Sequence, residues 1–234
     1  MNFYYHPDPE QNPTLNPEES GHAIKVLRAK KGDAIDIIDG KGNKYSAEIT
    51  DPNHRKCAFK IISTEKKLQK TYSTHIAIAP TKSNDRLEWF VEKACELGVN
   101  EISILCTHRT ERKKVNLERL EKKAISAMKQ SKGFWKCKIN DIATFNTFIQ
   151  SQNSDSNKFV AFVATGEESL LQNKIEKEKN ILLLIGPEGD FTNEEIELAR
   201  SANFTPVSLG KHVLRTETAG VIAVHTVELV NQMD

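Results

Sequence analysis

The sequence predicts an α/β protein with a mostly parallel sheet, preceded by a small β-rich domain, and three observations predict it. From about residue 74 onward, short apolar strand-like runs alternate with amphipathic helix-like segments, the pattern of a parallel sheet covered on both faces. The run Ile181 to Ile185 is wholly apolar, which suits a strand buried on both sides. Two glycine turns, Gly186-Pro187-Glu188-Gly189 and Gly210, each follow a strand, where open α/β sheets place their ligands.

Residues 1–70 read as the β-rich domain. Ala34 to Ile38 is apolar with Asp36 interposed, and the turn cluster Asp39 to Asn43 joins it to Tyr45–Ile49. Lys56 to Thr64 alternates, with Cys57, Phe59 and Ile61 on one face. Short strands with turns between them predict a small barrel. Glu18 to Leu27 reads as a short helix or turn carrying His22 and Arg28. Glu65 to Tyr72 is polar and lysine-rich and reads as the linker, leaving residues 71–234 as the second domain.

There, Thr74 to Pro80 is a strand and Ser83 to Gly98 a helix, with Leu87, Phe90, Val91, Ala94 and Leu97 as its apolar stripe and Gly98 as its stop. Glu101–Cys106 is a strand and Asn116–Lys132 a helix. Ile139–Gln152 reads as a short helix after a strand-like Lys138-Ile139. A polar loop over Ser151–Asn157, a strand over Phe159–Ala164 and a helix over Glu167–Lys177 lead to the central strand. After it, Thr192 and Glu195 form a capping box ahead of a helix. Pro206 to Leu209 is the next strand. The last helix starts near Thr216 or Glu217 and runs to about Asn231, with Ala219, Ile222, Ala223, Val227 and Val230 along one side. Val221 and Val224 widen that stripe, so one face packs on the sheet and another on a partner.

At 234 residues the chain can bury a sizeable core, and its 28% charged residues nearly balance at a net charge of +1. Bulk electrostatics therefore do not mark a nucleic-acid binder. Locally, Arg109, Arg112, Lys113 and Lys114 cluster, and Lys122, Lys123, Lys129, Lys132, Lys136 and Lys138 follow, with Glu118 and Glu121 among them. This is either a surface that meets phosphates or an ordinary solvated face. The four cysteines, Cys57, Cys95, Cys106 and Cys137, have neither disulfide-framework nor zinc-site spacing, the usage of a cytoplasmic protein with reduced thiols. The amino terminus shows no secretion signal, and no apolar run approaches a membrane span.

The first glycine turn lacks the Lys-Ser/Thr ending of a phosphate-binding loop and the third glycine of a dinucleotide fingerprint. Glu188 and Asp190 would repel a pyrophosphate, so an uncharged or cationic ligand fits better. Alone, Gly-Pro-Glu-Gly reads more readily as a tight connection. The second glycine turn and the loop Leu214-Arg215-Thr216-Glu217-Thr218 shift the balance toward a site.

Ile185-Gly-Pro-Glu-Gly-Asp-Phe191 followed by Leu209-Gly-Lys-His-Val-Leu-Arg-Thr-Glu-Thr-Ala219 resembles the paired C-terminal motifs of the RsmE family, the 16S ribosomal RNA uridine N3-methyltransferases of the SPOUT class. Upstream, Lys82, Asp85, Arg86, Glu88, Lys93 and Glu96-Leu97-Gly98-Val99 are similar to that family's first helix, Lys129-Gln130-Ser131 to a later segment, and His22, Val26-Leu27-Arg28 and Gly32-Asp33 to its N-terminal domain. Two departures are Asp190, where the family usually has a third glycine, and Gly133-Phe134-Trp135, where Gly-Arg is common after the serine.

The resemblance implies a trefoil-knotted SPOUT domain behind a PUA-like barrel, S-adenosylmethionine as cofactor, 16S rRNA or the small ribosomal subunit as partner, and a homodimer built on the last helix. It implies that Ile185, Gly186, Pro187, Glu188, Gly189, Leu209, Gly210 and Leu214 cradle the cofactor. Thr216 and Thr218 either hydrogen-bond it or cap the last helix. Arg215 is expected to stabilise the uracil anion as its N3 proton leaves. Glu217 is either the proton acceptor or a carboxylate at a helix N-terminus. The residues expected to meet RNA are Lys25, Arg28, Lys82, Arg86, Arg109, Arg112 and Lys129, with Trp135 a potential stacking platform. Ribose 2′-hydroxyl methylation and a non-catalytic RNA-binding assembly factor are the alternatives.

Overall fold

The computed structural model describes residues 3–152, 156–162 and 169–233. They form two compact units, residues 1–69 with 125–136, and residues 70–124 with 137–234.

The first unit contains β1 (Phe3–Tyr5), α1 (Pro17–Gly21), a π-helical turn (His22–Val26), β2 (Ala34–Ile38), β3 (Asn43–Asp51) and β4 (Ala58–Lys66). Its four-stranded sheet runs β1-β2-β3-β4, antiparallel except for the parallel pairing of β1 with β2. The short strand β1 escapes the sequence pattern because three residues leave no period to read. Alternation on β2 and β3 buries Ile35, Ile37, Tyr45, Ala47 and Ile49 with Tyr4, Leu15 and Phe59.

The units divide between residues 69 and 70, and a second segment from later in the chain joins the first of them. Residues 125–136 belong to the first unit because Met128 and Phe134 bury against Ile38, and the Gly42 amide donates to the Phe134 carbonyl at 3.0 Å. Trp135 lies over Gly42 so closely that a Cβ there would sit 2.4 Å from its ring. The indole is thus a packing element against the β2–β3 turn.

The second unit contains β5 (Thr74–Ile78), α2 (Asn84–Leu97), β6 (Glu101–Cys106), the start of α3 (Leu117–Gln130), β7 (Lys138–Thr144), α4 (Phe145–Ser151), β8 (Asn157–Ala161), a 3₁₀ turn (Leu171–Asn173), β9 (Ile181–Ile185), α5 (Asn193–Ser201), β10 (Thr205–Val207) and α6 (Thr216–Gln232). Every neighbouring pair in its sheet is parallel, in the order β10-β8-β9-β5-β6-β7. All five residues of β9 are buried, as its composition requires. Gly98 ends α2 in the left-handed region at φ 92°, and Thr192 with Glu195 completes the capping box of α5.

Two expectations fail here. Lys138–Thr144 is a full strand beside β6, so the helix begins only at Phe145; cross-strand pairing overrides a short apolar run that fits either period. The expected Glu167–Lys177 helix shortens, among the described residues, to the 3₁₀ turn, while Glu167 and Glu168 lie outside those residues. Residues 153–155 of the expected polar loop and residues 163–164 of the expected strand also lie outside them.

Candidate active site

The carboxyl ends of β8, β9 and β10 open onto a cavity of about 370 Å³, within the usual range for small-ligand pockets. The turn after β9 contributes Gly186, Pro187, Glu188 and Asp190, and the segment after β10 contributes Leu209, Gly210, His212, Val213 and Leu214. Arg215, Thr216 and Ala219 complete the wall from the start of α6. The two glycine turns are thus adjacent because β8 lies between β9 and β10.

The floor is locked by a short bond. The Thr216 hydroxyl donates to the Gly186 carbonyl at 2.9 Å, tying the first turn of α6 to the turn after β9. Gly186 has little room for a side chain, since a Cβ would lie 3.1 Å from Phe191 and 3.2 Å from Asp190. Gly210 sits at φ 146°, a backbone conformation open to glycine, and nothing lies within 4 Å of an added Cβ.

Of the expected cofactor residues, Ile185, Gly186, Pro187, Glu188, Leu209, Gly210, Leu214 and Thr216 line the cavity, whereas Gly189 and Thr218 do not. Gly189 instead faces Arg109, whose guanidinium donates to the carbonyls of Gly189 at 2.5 Å and Phe191 at 3.3 Å. Arg215 is exposed and lines the wall. Glu217 points elsewhere: it is 6% exposed, its Oε1 lies 3.8 Å from Arg86 Nε on α2, and its Oε2 has no hydrogen-bond partner among the described residues. That placement favours the structural carboxylate over the proton acceptor.

The cations expected to meet RNA divide by their partners. Arg112 donates to the carbonyls of Thr81 and Lys82 and to Asn84 Oδ1, and so, like Arg109, braces loops. The Lys82 amide donates to Glu188 at 3.1 Å, while its ammonium pairs with Glu111 at 2.7 Å. Lys129 pairs at 2.6 Å with the buried Glu19, so it completes the core of the first unit. Lys25 and Arg28 are exposed, with Val26 and Leu27 between them, and Arg28 adopts φ 56°.

The wall residues that sequence reasoning left out are Ala161, Phe162, Val207, His212, Val213 and Ala219, while Asp190, marked there by its charge, lines the wall as well. Ala161 and Phe162 enter through strand order alone, with Ala161 in register with Ile185. Nothing in a linear sequence announces that adjacency. Among the described residues no group of histidine, cysteine and carboxylate side chains could hold a metal, the four cysteines form no disulfide, and no helix is long and apolar enough to cross a membrane.

A parallel sheet with a glycine-walled cavity at its carboxyl edge, together with a separate small β unit, defines the class. Residues 68–228 match the model of the RNA methyltransferase domain and residues 15–62 that of the RNA methyltransferase PUA domain. A Rickettsia conorii protein, "Ribosomal RNA small subunit methyltransferase E", is 30% identical over 224 residues, covering 89% of this chain and 86% of its own. A crystal structure of a probable rRNA-methyltransferase from Porphyromonas gingivalis superposes with a TM-score of 0.91 at 37% identity, covering 98% of this chain and 99% of that one. The Neisseria gonorrhoeae ribosomal RNA small subunit methyltransferase E, solved bound to S-adenosyl methionine, gives 0.82 at 26% identity, covering 96% and 95%. The chain belongs to the ribosomal RNA small subunit methyltransferase E family.

Proposed function

We propose that this protein methylates N3 of a uridine in 16S rRNA with S-adenosylmethionine as donor. The observation that carries the reading is the cavity itself, in which two glycine turns and Arg215 share one wall. Its residues fit the donor: Ile185, Leu209, Leu214 and Ala219 give apolar contact to an adenine, Gly186 and Gly210 leave peptide groups approachable, and Glu188 and Asp190 suit a cation. S-adenosylmethionine, when bound, supplies a methyl group on a positively charged sulfur.

The protein's own contribution is position and charge. Holding two reactants in line can account for roughly 7 kcal/mol or more of a barrier. Loss of the N3 proton spreads negative charge over the flanking uracil carbonyl oxygens. The Arg215 guanidinium stabilises that anion and favours its formation. The uracil must leave its stack to reach the wall. Lys25 and Arg28 on the first unit suit phosphate contact, and Arg86 and Lys82 flank the cavity's helix and turn.

The reading includes the knotted path of the C-terminal segment, a cytoplasmic setting and a homodimer. The dimer is supported by the exposed Val213 and Leu229 and the half-buried Val221 and Ile222 on and before α6, an apolar surface in want of cover. Light scattering on the purified protein tests the dimer. The function is tested by transferring labelled methyl to small ribosomal subunits and analysing the nucleosides. A methyl on uracil N3 is expected; a ribose methyl, or no transfer, overturns the proposal.

A further inference from the structure

Asp190 stands in the cavity wall with a backbone that few residues adopt. Its φ is 62°, the left-handed region, where glycine, asparagine and aspartate are the tolerated choices. Its amide donates to the Pro187 carbonyl at 2.9 Å, and its Oδ1 accepts from the Phe191 amide at 2.7 Å. Oδ2 accepts no hydrogen bond from any described residue. Burial raises the carboxyl's pKa, and the Phe191 amide and Arg109 only partly offset this.

We infer that Asp190 makes the cavity prefer the cationic methyl donor over the uncharged-sulfur product, and so limits inhibition by S-adenosylhomocysteine. The inference rests on the reading of this cavity as the donor site. Donor and product differ there by one methyl group and one positive charge. Among the wall residues, Glu188 and Asp190 carry carboxylates and Arg215 a guanidinium, so these three sum to −1 with Asp190 and to zero without it. In a cavity of about 370 Å³ a bound sulfur lies within on the order of 10 Å of that carboxylate, about one screening length, and the partial burial of the site weakens the screening further. The attraction acts on the sulfonium and not on the thioether. Glu188 and Asp190 each accept one backbone amide, from Lys82 at 3.1 Å and from Phe191 at 2.7 Å.

The backbone supplies the controls, because Asp190→Asn and Asp190→Gly both tolerate φ 62° while removing the charge. Calorimetric titration of wild type and both variants would use S-adenosylmethionine, S-adenosylhomocysteine and sinefungin, which carries an ammonium in place of the sulfonium. The expected result is a fall of roughly three- to thirtyfold in the preference for donor over product, with product affinity held and sinefungin following the donor. An unchanged ratio in both variants overturns the inference while leaving the donor site intact. Wild-type protein that binds none of the three overturns the donor-site reading as well.

Discussion

Thr216 and Gly186 stand 30 positions apart, yet the threonine hydroxyl donates to the glycine carbonyl at 2.9 Å and joins the start of α6 to the turn after β9. Both residues line the cavity, so this bond fixes the distance between two of its walls. Thr216→Val keeps the shape and removes the donor. It is expected to cost about 1 kcal/mol of stability by thermal unfolding and to weaken S-adenosylmethionine binding by titration.

Arg215 lines the same wall and is not part of the floor. Arg215→Ala is expected to lower the methylation rate by roughly 100-fold or more, the size of effect seen when one charge-stabilising donor is lost. Donor affinity should change little. Equal loss of binding and rate would show that the arginine holds the cofactor instead.

Among the described residues, Glu217 is a buried carboxylate with one oxygen unpartnered and Arg86 as its ion-pair cation at 3.8 Å. Such a charge is poorly compensated. Glu217→Gln is therefore expected to leave the melting temperature unchanged or raised, whereas Arg86→Ala should cost about 1–2 kcal/mol, less than a fully buried pair because Arg86 is 42% exposed. Abolished methylation in Glu217→Gln, with folding intact, would restore the proton-acceptor role.

Gly220 lets α6 pack against Phe90 of α2 and Ile78 of β5. A Cβ there would lie 2.5 Å from Phe90 and 3.0 Å from Ile78. Gly220→Ala should destabilise by about 1–3 kcal/mol despite the better helix propensity of alanine, and calorimetric melting would show it.

Much of the fold was legible because its signals are local. The buried run of β9, the stripe and glycine stop of α2, and the capping box of α5 each depend on residues within one turn or one strand. Strand order is not local, which is why Ala161 and Phe162 were missed and why β7 beyond its strand-like start at Lys138-Ile139 was read as helix. The site divides the same way. The glycine turns announce themselves by composition, but the direction of a long side chain does not, so Arg109, Arg112 and Lys129 were read as RNA contacts although each is engaged within the protein.

His75 was not singled out at all. Its Nε2 lies 2.9 Å from Ser103 Oγ and its ring packs edge-on to Phe148, and burial lowers its pKa below the usual 6.5. The unfolded chain therefore binds a proton at a higher pH than the folded one. Stability should be full above about pH 6.5 and decline as the pH falls toward the depressed folded value. His75→Gln should flatten that slope between about pH 7 and pH 5, measured as denaturation midpoints.

The helix α3 begins in one unit and ends in the other, since residues 125–136 group with the first sheet. Genetic dissection is thereby constrained. A fragment begun at Lys70 would carry Met128 and Phe134 without the Ile38 surface that shields them, and would tend to self-associate. A fragment stopped at Gln69 would lack the same plug. Shuffling these modules between relatives therefore requires a two-piece graft, with the inserted residues travelling alongside the N-terminal sheet.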